Sequence, residues 1–122
     1  MKIDLKSIGQ RIRREREILG LSREEFAEIV GLSDYYVGQL ERGERQMSLT
    51  VLVKIADCLH ISLDYIIFGK DLNNIFYVHE SNNIYGSSYL KKYKEIHTLL
   101  NKCSERELEL FEKLIKTLLP YI

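Results

Sequence analysis

Within residues 32–45, LSDYYVGQLERGER, a tyrosine and a glutamine stand four residues apart, Tyr35 and Gln39. A glutamine amide offers a donor and an acceptor side by side, the pattern that fits the N6 and N7 edge of adenine. A tyrosine ring can pack on a thymine methyl or donate its hydroxyl. On a helical wheel of about 100° per residue, Val37 and Leu40 point one way, and Tyr35, Gly38, Gln39 and Arg42 point the other. Tyr36 falls on the flank. Gly38 on the outward side leaves room for close approach to a groove. Spacing alone leaves a second reading open, in which Tyr35 and Gln39 are simply solvated. Asp34 is equally two-sided: its carboxylate can accept from cytosine N4, or it can stabilise the positive end of its own helix.

Other chemistries find less support. Cys58 and Cys103 lack CxxC spacing and read as buried thiols, not a disulfide. His60, His79 and His97 share no helix-face spacing with the cysteines or each other, so no metal ligand and no cofactor is predicted. There is no glycine-rich phosphate loop and no nucleophile–base arrangement. No catalytic residue is therefore assigned, and the chain is not expected to be an enzyme. Net charge is zero, and residues 1–69 hold ten Lys/Arg against eleven Asp/Glu. A nucleic-acid-binding unit is ordinarily basic. Arg11, Arg13, Arg14 and Arg16 do cluster in one helix, so charge decides nothing.

The elements that must position these side chains can be read from caps and periodicity. The first helix is predicted from about Ser7 to Leu19, with Ile8, Ile12 and Leu19 on one stripe. Ser22-Arg23-Glu24-Glu25 is a capping box opening a second helix, which Gly31 ends. Ser33 caps a third, reaching about Arg42, with Gly43 as its stop. Ser48 caps a fourth whose Leu49, Leu52, Ile55, Ala56 and Leu59 form the core-facing stripe. Ser62 caps a short fifth ending at Gly69. The turn Val30-Gly31-Leu32-Ser33 between two short capped helices is the spacing of a helix-turn-helix, and the small Ala27 lets the two approach.

At this point the stretch from Ile8 to Gly69 resembles the five-helix DNA-binding domain of the Cro/C1-type repressors, the Xre family. The matching motifs are Ile-Gly-x-x-Ile-Arg at 8–13, Arg16, Gly-Leu-Ser at 20–22, Ala27, Gly31, Ser33, Leu-Glu-x-Gly at 40–43 and Ile-Ala at 55–56. The resemblance implies an all-α, lambda-repressor-like domain that binds double-stranded DNA, usually as a dimer on a pseudo-palindromic operator, with the third helix in the major groove. It implies base contacts from Ser33, Asp34, Tyr35 and Gln39, and phosphate contacts from Arg23, Tyr36, Arg42 and Arg45. It also pairs Arg16 with Glu41 as a structural ion pair. Asp34 departs from the family's frequent glutamine at that position.

The rest of the chain completes the expected organisation: residues 1–69 as the DNA-binding domain, 70–87 as a linker, and 88–122 as a C-terminal helical hairpin. The linker either holds a short strand at 75–78 or is an ordered loop packed by its aromatics. Ser104-Glu105-Arg106-Glu107 opens the last helix. Leu108, Phe111, Ile115, Leu118 and Ile122 follow at alternating spacings of three and four, a seam suited to dimerisation. The expected function is a dimeric, sequence-specific transcriptional repressor that meets its second subunit through these helices. The alternative is a protein-interaction module, an antitoxin or antagonist, whose C-terminal helices capture another protein. No apolar stretch approaches the ~20 residues of a membrane span, and MKIDLKSIGQRIRRERE carries no signal-peptide core. A cytoplasmic location is the expectation.

Overall fold

Hydroxyl caps begin most of the helices. The computed structural model describes residues 3–70 and 84–122. In order these form α1 (Leu5–Ile18), α2 (Arg23–Val30), α3 (Asp34–Glu41), α4 (Leu49–Leu59), α5 (Leu63–Phe68), α6 (Ile84–Leu100), α7 (Glu105–Leu118) and a 3-10 turn at Leu119–Tyr121. No strand occurs among the described residues, and the all-α expectation holds. Ser22, Ser33, Ser48 and Ser62 accept from the backbone N–H groups of Glu25, Tyr36, Val51 and Tyr65 respectively. Each bond satisfies a donor that a helix start would otherwise leave bare, worth about 1 kcal/mol against alanine.

The first helix starts differently from its expected beginning at Ser7. Asp4 is the cap, and one of its carboxylate oxygens accepts from the N–H groups of Lys6 and Ser7. The other takes the Ser7 hydroxyl at 2.8 Å. A carboxylate outcompetes a hydroxyl here because it has two acceptor oxygens and a charge that suits the helix's positive end. Those hydrogen bonds, led by the Ser7 hydroxyl, hold the Asp4 carboxyl below its usual range.

The first five helices close around Ile12, Phe26, Val37, Leu40, Ile55 and Ile66, all fully buried. The α4 stripe holds at Leu52, Ile55, Ala56 and Leu59 but not at Leu49, which is 73% exposed. Leu49 is the first helical residue of α4, and among the described residues nothing covers the stripe at that end. Buried Cys58 and half-buried Val51 widen the packed face instead. Burial pushes the Cys58 thiol up to about 11, so it packs as a neutral group.

The chain divides into two units, Met1–Lys70 with Ile115–Ile122, and Asp71–Leu114. The chain's end groups with the first unit. Pro120 is buried, Leu119 packs against the core, and the Leu119 carbonyl accepts from the His60 ring. His60 itself caps α4 in the left-handed region at φ 56°. Proline has no N–H to continue a helix, so α7 stops at Leu118. Ile122, which the seam was expected to include, lies beyond the helix and is exposed.

In the second unit, α6 begins at Ile84, inside the segment read as linker. The possible strand at 75–78 lies outside the described residues. The capping box at α7 forms, with the Ser104 N–H donating to Glu107 at 2.9 Å and the Glu107 N–H to the Ser104 hydroxyl at 3.2 Å. The apolar residues of α7 are exposed: Leu108, Phe111, Leu114, Ile115 and Leu118 all face solvent, and the helix buries none of its residues. Among the described residues no helix is long and apolar enough to cross a membrane.

Candidate nucleic-acid interface

Two short helices and a sharp turn set the geometry. Gly31 follows α2 at φ 72°, a conformation that glycine adopts without a Cβ penalty. The Leu32 N–H then reaches back to the Ala27 carbonyl at 2.8 Å, turning the chain before Ser33 caps α3. Ala27 is buried in the core. Val37 and Leu40 anchor α3 in the core, each 1% exposed, while Tyr35 is 71% exposed on the opposite side.

Behind α3, Arg16 and Glu41 lie buried and paired bidentately. Nε donates to one carboxylate oxygen at 2.7 Å and Nη2 to the other at 3.0 Å. The third arm, Nη1, donates to the Leu21 carbonyl at 2.8 Å. Every direction of the guanidinium is thus met, which makes the burial tolerable. Gly9 of α1 lies where α3 ends: a Cβ there would run into the carbonyl oxygens of Leu40 and Glu41. Close backbone contact and a buried ion pair therefore hold the base of α3 against α1.

The arginine cluster of α1 is engaged inside the fold. Arg11 donates to the Ile66 and Ile67 carbonyls near the end of α5, Arg13 pairs with Glu17, and Arg14 donates to the Tyr65 hydroxyl. With Arg16 on Glu41, all four have partners of their own.

Besides Arg16, three arginines adjoin α3: Arg23, Arg42 and Arg45. Arg23 clasps Asp34 across the turn, Nε to Oδ1 at 2.7 Å and Nη2 to Oδ2 at 2.9 Å. This donation holds the Asp34 carboxyl below its usual range. Arg42 clasps Glu44 in the same way, at 2.8 and 3.2 Å. Both Nη1 atoms then converge on Gly38, each 3.0 Å from where its Cβ would stand. Gly38 is accordingly buried beneath two guanidiniums, and the open outward position expected from the wheel is corrected.

The two tyrosines separate as the wheel indicates. Tyr36 is half-buried against the core, and its ring carries Arg45, whose guanidinium carbon lies 5.1 Å from the ring centroid. Arg45 Nη1 also stands 3.5 Å from the Gln39 amide oxygen, at the limit of a hydrogen bond. The Ser33 hydroxyl oxygen accepts from the Tyr36 N–H at 3.0 Å, so its local role is the cap. Glu44 belongs to this face although sequence reading did not single it out. Its signal would have been a carboxylate two residues beyond Arg42, just past the glycine that ends α3.

Comparison with known proteins bears on this arrangement. The helix-turn-helix family model matches residues 12–66. Control protein C.SmaI of Serratia marcescens is 37% identical over 73 residues, covering 59% of this chain and 87% of the relative. The HTH-type transcriptional regulator YazB of Bacillus subtilis (strain 168) is 41% identical over 56 residues, 46% of this chain and 81% of that protein. The crystal structure of the restriction-modification controller protein C.AhdI from Aeromonas hydrophila superposes with a TM-score of 0.50 at 42% identity, over 52% of this chain and 97% of that one. On these similarities the chain belongs to the helix-turn-helix family of Cro/C1-type DNA-binding transcriptional regulators.

Proposed function

We propose that the chain represses transcription by reading operator DNA through α3 in the major groove, as a dimer assembled on its C-terminal helices. The observation that carries this reading is the exposed Tyr35 beside Gln39 on a helix whose other face is locked into the core by Val37 and Leu40. Residues one turn apart can reach adjacent base pairs. The naming of C.SmaI and C.AhdI as control and controller proteins supports the regulatory half. Repression and dimer formation rest on the family resemblance and on the solvent-facing row Leu108, Phe111, Ile115 and Leu118.

Selection from a random duplex library with the full-length protein tests it. The expected product is a paired motif whose half-sites lie about one helical turn apart, ~34 Å. A single unpaired motif would sink the dimer, and no enriched motif would sink DNA reading. A second reading, capture of a different protein by α7, draws on the same exposed row. Sedimentation separates the two, since a stable dimer favours self-association and a monomer favours a heterologous partner.

The double tyrosine gives an unequal pair of substitutions. Tyr35→Ala changes which sequences are enriched and leaves the melting temperature nearly unchanged, as expected for an exposed side chain. Tyr36→Ala removes packing and the ring beneath Arg45, so it weakens binding to all sequences and lowers stability by about 1–3 kcal/mol. Library selection and thermal melts on both variants check this, and equal behaviour would contradict the division of roles.

A further inference from the structure

Two cations of the recognition face are neutralised within it. Of the three arginines expected to meet phosphates, Arg23 and Arg42 each sit in a bidentate carboxylate clasp, on Asp34 and Glu44, while Arg45 lies over the Tyr36 ring. All four side chains are substantially exposed, so the clasps can open to solvent or to a ligand. Residues 1–69 carry no surplus of positive charge to draw in a duplex. An arginine held by a carboxylate is neutralised and releases little counterion when a phosphate approaches. A carboxylate facing a groove is repelled by the backbone unless a base offers it a donor, and cytosine N4 is the base donor exposed in the major groove that suits it.

We infer that Asp34 and Arg23 exchange partners on the operator: Asp34 passes from the guanidinium to a cytosine amino group, and the freed Arg23 turns to the adjacent phosphate. The inference rests on the DNA-reading proposal above and adds a coupling to it. A correct base at one position switches on a backbone contact that a wrong base leaves shut. Glu44 neutralises Arg42 in the same manner, but it lies beyond the end of α3 and reads no base. Sequence-independent affinity is thereby held down at the position where the protein reads sequence.

The test uses the full-length protein, the best duplex from the library selection, and a scrambled duplex of equal composition, titrated across a salt series. Asp34→Asn is expected to tighten binding to the scrambled duplex roughly five- to tenfold at 0.1 M salt. The slope of log affinity against log salt on that duplex should steepen by about 0.9, the value of one added phosphate contact. A repeat selection with Asp34→Asn should lose the cytosine preference at one position of each half-site. Glu44→Gln is expected to steepen the slope equally while the selected sequence stays the same. Unchanged slope and cytosine preference in Asp34→Asn, or weaker binding to both duplexes, overturns the exchange. So does a wild-type selection without cytosine at any half-site position. Failure of the wild type to enrich any sequence is a distinct result, since it removes the DNA-reading proposal itself.

Discussion

Glutamine at position 41 will lower the unfolding free energy by about 3–5 kcal/mol, the range for removing one partner of a buried ion pair. The side chains of Arg16 and Glu41 are only 10% and 6% exposed. Glu41→Gln keeps the size and one acceptor but removes the charge, leaving a guanidinium in the interior with nothing to balance it. Glu17 is no substitute, since its carboxylate lies 4.0 Å from Arg16 and is more than half exposed. For a domain whose total stability is of order 5–15 kcal/mol, the loss is severe. Urea unfolding of the variant measures it, and a change under about 1 kcal/mol would show that the pair is solvated. The double variant Arg16→Met with Glu41→Leu removes both charges together and should recover most of the loss.

Alanine at position 9 will destabilise the fold by about 3 kcal/mol or more, at the upper end of overpacking. The sign is what makes the result diagnostic. In an ordinary helix interior, glycine to alanine stabilises by about 1 kcal/mol. Here the added methyl meets the carbonyl oxygens of Leu40 and Glu41, backbone atoms that cannot rotate away. To admit it α1 and α3 must separate, which also pulls the Arg16 clasp open. DNA affinity should fall with stability, because α3 shifts with its base. A thermal melt and a binding titration on Gly9→Ala read both effects, and a stabilised variant would refute the close contact.

Much of this architecture is visible before any coordinates. Ser22, Ser33, Ser48 and Ser62 announce their helices because a hydroxyl cap acts only on its own first turn, a purely local matter. The inward set Val37 and Leu40 follows from helical period. What stays hidden depends on how helices cross. Asp4 and Ser7 are both able caps three residues apart, and periodicity does not rank them. Arg23 and Asp34 are eleven residues apart, and their clasp exists only because the turn at Gly31 brings the two helix starts together. Gly38 looks outward on a wheel, yet arginines from α2 and from the end of α3 fold over it. The docking of Leu119 and Pro120 on α4 requires two segments about sixty residues apart, beyond the reach of any local pattern.

The clasp across the helix-turn-helix has a consequence for how such a protein acquires new targets. Tyr35 and Gln39 hang on a fixed mount and can be exchanged singly, as letters in a slot, with little penalty to the fold. Position 34 is not independent in that sense. A neutral or basic residue there strands Arg23, and an acidic residue at 23 would set two carboxylates side by side. Drift in specificity at this corner is therefore expected to proceed by compensated double steps. On the proposed reading, the alphabet open to the base that residue 34 meets is limited by a residue eleven places upstream.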